Sequence, residues 1–396
     1  MNKFGLFIHW GIYAESALGA QAQVRFSIPF EEYTKLAERF NPTEYDPEEW
    51  VLLAKKAGMK YICFTAKHHD GFCMWNTKYT DYNIMNTPYK KDVLKMLADA
   101  CERHGMLLSI YYSNPDWHHK NGYNFHSTHQ WGNPTPETGD MVEYRAYIKK
   151  QIGELMTNYG KIYTLFWDIP PVLVDESLNE YVRSLQPDIL INDRGWDKGD
   201  FSTPERNVPD GSRFERLTEA CQSMGEQEWG YYREEDYFSA RFLMSNIHKI
   251  MAMGGSYLLN IGPMANGKFP QKCVELLEII GDWYNRMNGA LENHEANPFE
   301  ISLMKRIPVI ATWKDGRTYL HLYEGVRSSA IAFKDGPEFP PKRARLLNNG
   351  QELRVRFGLL PGVVHRHGQA DGPYVSIADI PCDEFAGEPL VIEIEW

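Results

Sequence analysis

Several polar residues of this chain stand where polar residues are costly. The run Tyr163-Thr-Leu-Phe-Trp-Asp168 is apolar until it stops on a carboxylate. An Asp beside Trp and Phe loses several kcal/mol of hydration unless it is paired, hydrogen-bonded or chemically used. Other apolar runs end the same way. Phe4-Gly-Leu-Phe-Ile8 leads into His9-Trp10-Gly11, Tyr61-Ile-Cys-Phe-Thr65 into Lys67-His68-His69-Asp70, and Leu107-Leu-Ser-Ile-Tyr111 into Ser113 and then Asp116-Trp117-His118-His119. Ile189-Leu-Ile191 leads into Asn192-Asp193-Arg194, with Asp200 and Glu205 a loop later. Paired carboxyl groups can divide nucleophilic and acid/base work between them. Hydrogen-bonding side chains walled by Trp and Tyr suit a small polyhydroxylated substrate.

Each residue also has a plainer use. His9 alone reads as a satisfied core histidine. His68 and His69 could be metal ligands, but adjacent residues after a strand diverge and no HxH or HExxH spacing accompanies them, so no metal is expected. Asp168 could be the buried ion-pair partner of Arg194. The shared position of all these motifs at the ends of apolar runs favours one common site over separate structural roles.

The elements that would position them follow from periodicity. Helical patterns at Phe30–Arg39, Pro47–Ala57, Lys91–His104, Met141–Tyr159 and Asp175–Leu185 separate the near-continuous apolar runs. Such alternation indicates buried parallel strands with helical crossovers. The predicted fold class is α/β: an irregular TIM-like (β/α)8 barrel over residues 1–293, whose site lies at the carboxyl ends of the strands. Beyond it, short runs at Pro308–Trp313, Thr318–Tyr323, Ala330–Phe333, Ala344–Leu347 and Leu390–Trp396, separated by turns such as Lys314-Asp-Gly316 and Asn348-Asn-Gly350, predict an antiparallel β-sandwich over 294–396. Residues 115–139 lack periodicity and read as a long loop over the barrel mouth. Strand alternation turns Lys67 away from the histidines that follow it.

Composition excludes several classes. With 396 residues there is ample chain for one large domain and a smaller one. The net charge of −11 and the lack of a basic stripe exclude a nucleic-acid partner. The 6 Cys are scattered without CxxC or zinc-type spacing and read as reduced thiols. No apolar run approaches a bilayer span, so no membrane partner is expected, and the N-terminus enters a strand pattern without a secretory h-region, which points to the cytoplasm. Assembly into a homo-oligomer is compatible with the sequence.

The ordered motifs Phe4-Gly-Leu-Phe-Ile-His-Trp-Gly11, Thr65-Ala-Lys-His-His-Asp-Gly-Phe72, Tyr111-Tyr-Ser113 with Asp116-Trp-His-His119, Trp167-Asp168, Asn192-Asp-Arg194, Gly199-Asp-Phe-Ser-Thr-Pro-Glu205, Trp229-Gly-Tyr231 and Gly254-Gly-Ser-Tyr-Leu-Leu-Asn-Ile-Gly-Pro263 resemble the α-L-fucosidases of glycoside hydrolase family 29. The likeness spans roughly residues 4 to 290, and that many motifs in one order make it specific. It implies the same barrel followed by a β-sandwich. It also implies an enzyme without cofactor that hydrolyses terminal α-L-fucosides of an oligosaccharide or glycoconjugate with retention of configuration.

On this resemblance Asp168 matches the nucleophile. The acid/base position shifts among family members: Glu205, closing Ser-Thr-Pro-Glu, is favoured, and Glu219, where the family commonly has Trp-Glu in place of Thr218-Glu219, competes. An acid/base also wants apolar surroundings that raise its pKa. His9, His68, His69, Tyr111, Arg194 and Trp229 match residues that hold or wall the sugar, with Trp117 and Trp167 of the same motifs beside them. Two departures stand out. The family's Gly-Glu-Trp after the first strand is replaced by Gly19-Ala20-Gln21-Ala22-Gln23, and Ile169-Pro170-Pro171 replaces a small or glycine-containing turn. A sugar other than L-fucose, such as L-galactose, is therefore the alternative substrate, and a silent sugar-binding protein the alternative class.

Overall fold

The computed structural model describes residues 1, 3–122, 140–171, 175–304, 307–334, 336–337, 339–358 and 373–396. The apolar runs fold as parallel strands alternating with helices. In chain order these are β1 (Phe4–Ile8), α1 (Ala22–Arg25), α2 (Phe30–Thr34), α3 (Pro47–Lys56), β2 (Tyr61–Lys67), α4 (Val93–His104), β3 (Leu107–Ser113), α5 (Met141–Asn158), β4 (Ile162–Asp168), α6 (Ser177–Leu185), β5 (Leu190–Ile191), β6 (Glu219–Ser223), α7 (Ala240–Ala252), β7 (Ser256–Ile261) and α8 (Gln271–Arg286). Local chemistry sets the helix starts. Asp46, Asp92, Asp140 and Ser239 cap α3, α4, α5 and α7 by accepting backbone N–H groups that would otherwise lack partners.

The strands hydrogen-bond in the order β5-β4-β3-β2-β1-β7-β6. Pleat alternation then sorts the side chains. Phe7, Tyr61, Cys63, Tyr111, Phe166, Cys221 and Leu258 cluster inside the curled sheet, whereas Leu6, Ile8, Ile62, Phe64, Ile110, Tyr112, Leu165 and Trp167 pack with the helices. The edges β5 and β6 do not pair with each other. The segment after β5 fills the gap through parallel bridges Asn192↔Phe201, Ser202↔Thr218 and Glu205↔Cys221. It is bonded on both sides, with Asp193 N–H donating to Phe201 O at 2.9 Å and Glu219 N–H to Ser202 O at 2.8 Å. This irregular stave closes the barrel, and Glu205 stands on it.

The rest of the chain forms an eight-stranded antiparallel sheet: β8 (Glu295–Ala296), β9 (Ile310–Lys314), β10 (Arg317–Leu322), β11 (Ala330–Phe333), β12 (Arg343–Leu346), β13 (Glu352–Gly358), β14 (Tyr374–Ala378) and β15 (Leu390–Glu395), in the order β11-β14-β13-β12-β15-β10-β9-β8. Leu320, Phe333, Ile377 and Ile392 from opposite halves of that order share one core. The turn at Asp315 and Gly316, with φ of 51° and 79°, joins β9 to β10 as its Asp-Gly sequence demands. Strands β8, β13 and β14 were not apparent in the sequence pattern. Of the predicted loop at 115–139, residues 123–139 lie outside the described residues. No described helix is long and apolar enough to cross a membrane.

The two layers meet through buried polar contacts. His248 on α7 and His321 on β10 are 2.9 Å apart (Nε2 to Nδ1), and His321 Nε2 is 2.8 Å from Thr312 Oγ1. Both imidazoles are fully buried, and burial pushes His248 down to about 3 and lowers His321 as well. An imidazole with a folded pKa below its unfolded value near 6.5 takes up its proton mainly in the unfolded chain, so stability is full above that pH and is lost as pH falls beneath it. Thermal unfolding followed from pH 8 to pH 5 should show a loss on the order of 2 kcal/mol from His248 by pH 5, and His248→Leu should flatten that profile. An unchanged profile in His248→Leu would refute this account.

Candidate active site

Asp168 ends β4 on the inner face of the barrel. Its Oδ2 accepts from Tyr111 OH at 2.6 Å, and its Oδ1 accepts from Arg194 Nη1 at 3.2 Å and from Ile169 N–H at 3.0 Å. His69 Nε2 stands 3.7 Å from Oδ2. Burial alone would push this carboxyl up, but Arg194, His69 and the Tyr111 hydroxyl outweigh it and hold Asp168 at about 2. The carboxylate is therefore charged throughout the ordinary pH range. Its strand end is also fixed by Asn192, whose side chain accepts from Trp167 N–H at 2.9 Å and donates to Trp167 O at 2.8 Å. The next residue, Ile169, has φ of 60°, a conformation that costs a non-glycine residue about 1–3 kcal/mol.

The histidines have defined proton positions. Asn260 Nδ2 donates to Ser223 Oγ at 3.1 Å and Trp229 O at 2.7 Å, so its Oδ1 accepts from His9 Nδ1–H at 2.7 Å, leaving His9 Nε2 as an acceptor. Burial pushes His9 down to about 4, so it is neutral near pH 7. The Ser113 hydroxyl donates to Pro115 O at 2.7 Å and hence accepts from His69 Nδ1–H at 2.6 Å, which leaves His69 Nε2 facing Asp168 Oδ2. His68 stacks on Tyr111, with centroids 5.7 Å apart. Among the described residues, no three His, Cys, Asp or Glu side chains gather in a way that could hold a metal ion.

Arg194 links the turn after β5 to the closing stave. Its Nε donates to Thr203 Oγ1 at 2.9 Å, its Nη2 to Thr203 O at 2.8 Å, and its Nη1 to Glu205 Oε2 at 2.7 Å as well as to Asp168 Oδ1 at 3.2 Å. Two oxygens held by one nitrogen at 2.7 and 3.2 Å cannot stand more than about 6 Å apart. The two carboxylates therefore face one pocket of about 450 Å³, walled by Phe7, Phe166, Cys221 and Trp229, with His9, His68, His69, Tyr111 and Gln21 at its polar sides.

A family model described as Alpha-L-fucosidase matches residues 1–290. The chain belongs to the α-L-fucosidase family. The tissue α-L-fucosidase of Rattus norvegicus is 27% identical over 358 residues, covering 80% of this chain and 74% of that protein. The α-L-fucosidase of Dictyostelium discoideum is 26% identical, covering 90% and 84%. Among solved structures, α-L-fucosidase isoenzyme 1 from Paenibacillus thiaminolyticus superposes with a TM-score of 0.86 at 30% identity, covering 100% of this chain and 96% of that one. A family 29 α-L-fucosidase from Bacteroides thetaiotaomicron, trapped as a covalent intermediate with 2-fluoro-fucosyl fluoride, gives a TM-score of 0.82 at 26% identity, covering 100% and 94%. The protein is a glycoside hydrolase of the fucosidase type.

Within this α-L-fucosidase fold, most of the residues singled out by sequence gather at one pocket: Asp168, Glu205, His9, His68, His69, Tyr111, Arg194 and Trp229 all line it. Three do not. Trp167 points the other way along β4, toward α6, where its Nε1 donates to Asn179 Oδ1 at 2.9 Å, because alternation allows either Asp168 or Trp167 to face inward, and not both. Trp117 stands behind the pocket, its ring 5.5 Å from that of His69 and its N–H donating to His69 O at 2.7 Å. Glu219 begins β6 at the amino end of the interior, fully buried, accepting from Tyr61 OH at 2.6 Å. Burial pushes it up to about 7. Cys221, one step along the same face, is the β6 residue that reaches the pocket.

Two further differences concern the surroundings. Glu205 is not in an apolar niche: its side chain is 38% exposed and hydrogen-bonded to Arg194. Lys67 turns outward as expected, although Tyr61 and Cys63 of the same parity face inward: a register shift between Thr65 and Lys67 reverses its side, and it pairs with Asp116 at 3.0 Å beneath the Tyr112 ring. Phe7 and Phe166 were missed as pocket walls although the same period of two, counted back from His9 and Asp168, finds them. Gln21 reaches the pocket from the residue preceding α1, within the stretch where the sequence departs from its family. Because Glu219 lies away from the pocket, Glu219→Gln should keep kcat/KM for an aryl α-L-fucoside within about threefold of wild type, against the loss of about 10²–10⁴ expected for a general acid/base. Steady-state kinetics decides between them.

Proposed function

We propose that the chain is a retaining exo-α-L-fucosidase in which Asp168 is the nucleophile and Glu205 the acid/base. The observation that carries this reading is the shared Arg194 Nη1, which keeps one oxygen of each carboxylate within about 6 Å of the other. Retaining glycosidases place theirs about 5–5.5 Å apart, and inverting ones leave about 6.5–9.5 Å for a water. In the first step Asp168 attacks the anomeric carbon, the bond to the aglycone oxygen breaks, and that oxygen takes a proton from Glu205. In the second, Glu205 accepts a proton from the water that attacks the same carbon, and Asp168 leaves. Two inversions give net retention. The covalent intermediate trapped on the Bacteroides relative supports this two-step course.

The side chains divide the remaining work. Arg194 and Tyr111 keep Asp168 ionised and aimed, at the cost of nucleophilicity that the approaching oxocarbenium-like carbon offsets. Glu205, exposed at the rim, is free to exchange Arg194 for the glycosidic oxygen. His9 offers a neutral nitrogen acceptor to a sugar hydroxyl, His69 a ring nitrogen beside Asp168, and Phe7, Phe166 and Trp229 offer apolar walls, which suit the methyl group of a 6-deoxy sugar. A charged sugar would find no equivalent partner on the apolar side.

Asp168→Gly should abolish turnover of an aryl α-L-fucoside, and added azide should restore it with inverted product; retained activity would sink the assignment. Glu205→Gln should slow substrates with poor leaving groups by about 10²–10⁴, and activated aryl fucosides less. An inactive wild type on a panel of aryl α-L-glycosides, with binding preserved, would instead favour a silent sugar-binding protein.

A second substrate reading has its own support. Gln21 brings a neutral amide to the pocket where relatives carry Gly-Glu-Trp, and a charged hydrogen bond to a sugar hydroxyl is worth about 1.5–3 kcal/mol. If the apolar walls dominate, kcat/KM for the α-L-fucoside should exceed that for the α-L-galactoside by about tenfold or more. The reverse order would assign the site to L-galactose.

A further inference from the structure

The turn after Asp168 is held in a conformation its sequence resists. Ile169 is β-branched and has φ of 60°, and Pro170 follows it, which further disfavours helical-type conformations at residue 169. Glycine would adopt this turn freely. What keeps Ile169 there is Asn114, buried immediately after β3. The Asn114 N–H donates to Asp168 O at 3.0 Å, its Nδ2 donates to Ile169 O at 2.9 Å and to Arg194 O at 3.4 Å, and its Oδ1 accepts from Trp196 Nε1 at 3.0 Å. The indole N–H fixes which end of the amide is oxygen, so Nδ2 must face the Ile169 carbonyl. The hydroxyl of Tyr144 donates to Asn114 O and holds the residue from behind.

One residue therefore grips three backbones: its main chain holds the proposed nucleophile, and its side chain holds the residue after it and Arg194. Two consequences reach the pocket. The Ile169 N–H donates to Asp168 Oδ1 at 3.0 Å, one of three donors on that carboxylate. The Ile169 side chain also forms part of the pocket wall. If Ile169 relaxed to negative φ, its carbonyl and side chain would swing away together, and the peptide that aims its N–H at Asp168 would be released.

We propose that Asn114 is a positioning residue for the reaction, which locks Ile169 in the left-handed conformation and so sets both the aim of the Asp168 carboxylate and the wall beside it. This rests on the retaining-glycosidase reading above. The test is a double-mutant cycle read on an aryl α-L-fucoside, with folding checked by far-ultraviolet circular dichroism. Asn114→Ala should lower kcat about tenfold or more while KM changes less than about threefold, the signature of a transition-state interaction. Ile169→Gly keeps the left-handed turn without strain but removes the wall side chain, so its KM should rise while its kcat stays measurable and serves as the baseline for the second substitution. In the Ile169→Gly background, Asn114→Ala should cost less than about threefold, because there is no strained residue left to hold.

Equal losses in both backgrounds, no loss in Asn114→Ala, an inactive Ile169→Gly, or failure of Asn114→Ala to fold in both backgrounds would each overturn the proposal. An inactive wild type would instead overturn the functional reading, and the inference with it. An active wild type with additive losses overturns the inference alone.

Discussion

One guanidinium nitrogen between two carboxylates is the constraint on which the pocket depends. Arg194 must be present before Asp168 can be buried as an anion, because an isolated carboxylate inside a barrel costs far more than strand packing returns. It must also reach Glu205, which lies on a different stave. The arrangement therefore couples β4, the turn after β5 and the segment that closes the barrel, and no one of them can shift without losing a charged contact. Removing one partner of the mostly buried Asp168–Arg194 pair typically costs about 3–5 kcal/mol, whereas the Glu205 contact at the exposed rim is worth less, so β4 is pinned to Arg194 more firmly than the closing segment is. Thr203, which receives two of the Arg194 donors, keeps the guanidinium from turning toward either carboxylate alone.

Around that contact the molecule separates charge from hydrogen bonding. Burial holds His9 neutral, and fixed acceptors behind the rings, Asn260 for His9 and Ser113 for His69, set where each Nδ1 proton sits. The Arg194 contacts of the pocket thus run along one line, from Asp168 to Glu205, with hydrogen-bonding groups elsewhere. A polyhydroxylated substrate needs this division, because its hydroxyls require many weak partners while only the anomeric carbon develops charge.

Much of this was legible from residue order. The apolar runs announced the strands, their terminal polar residues announced the mouth, and the period of two decides that Phe166 and Asp168 face inward while Trp167 faces the helices. Trp117 and Glu219 were misplaced for different reasons. Trp117 follows its strand by several residues, where no periodicity governs direction, and Glu219 sits at the wrong end of a strand whose polarity was not traced in the sequence. Glu205 was chosen correctly as a pocket residue, but its surroundings were not, since its partner Arg194 is eleven residues away and no local pattern joins them. Strands β13 and β14 escaped notice because Glu352-Leu-Arg-Val-Arg-Phe-Gly358 is mostly polar on its open face and its partner Tyr374–Ala378 lies far along the chain.

The stave that closes the barrel is held by three isolated bridges instead of a continuous ladder. A ladder fixes every residue to one register, so an insertion anywhere in it moves all the side chains beyond. A seam stitched at separated points can gain or lose residues between its stitches while both neighbouring strands stay where they are. Asp168 stands on a laddered strand and Glu205 on the stitched one. The two carboxyl groups of this site are therefore subject to unequal freedom over evolutionary time: the proposed nucleophile is locked to the sheet, and the proposed acid/base can migrate along the chain and still arrive opposite it.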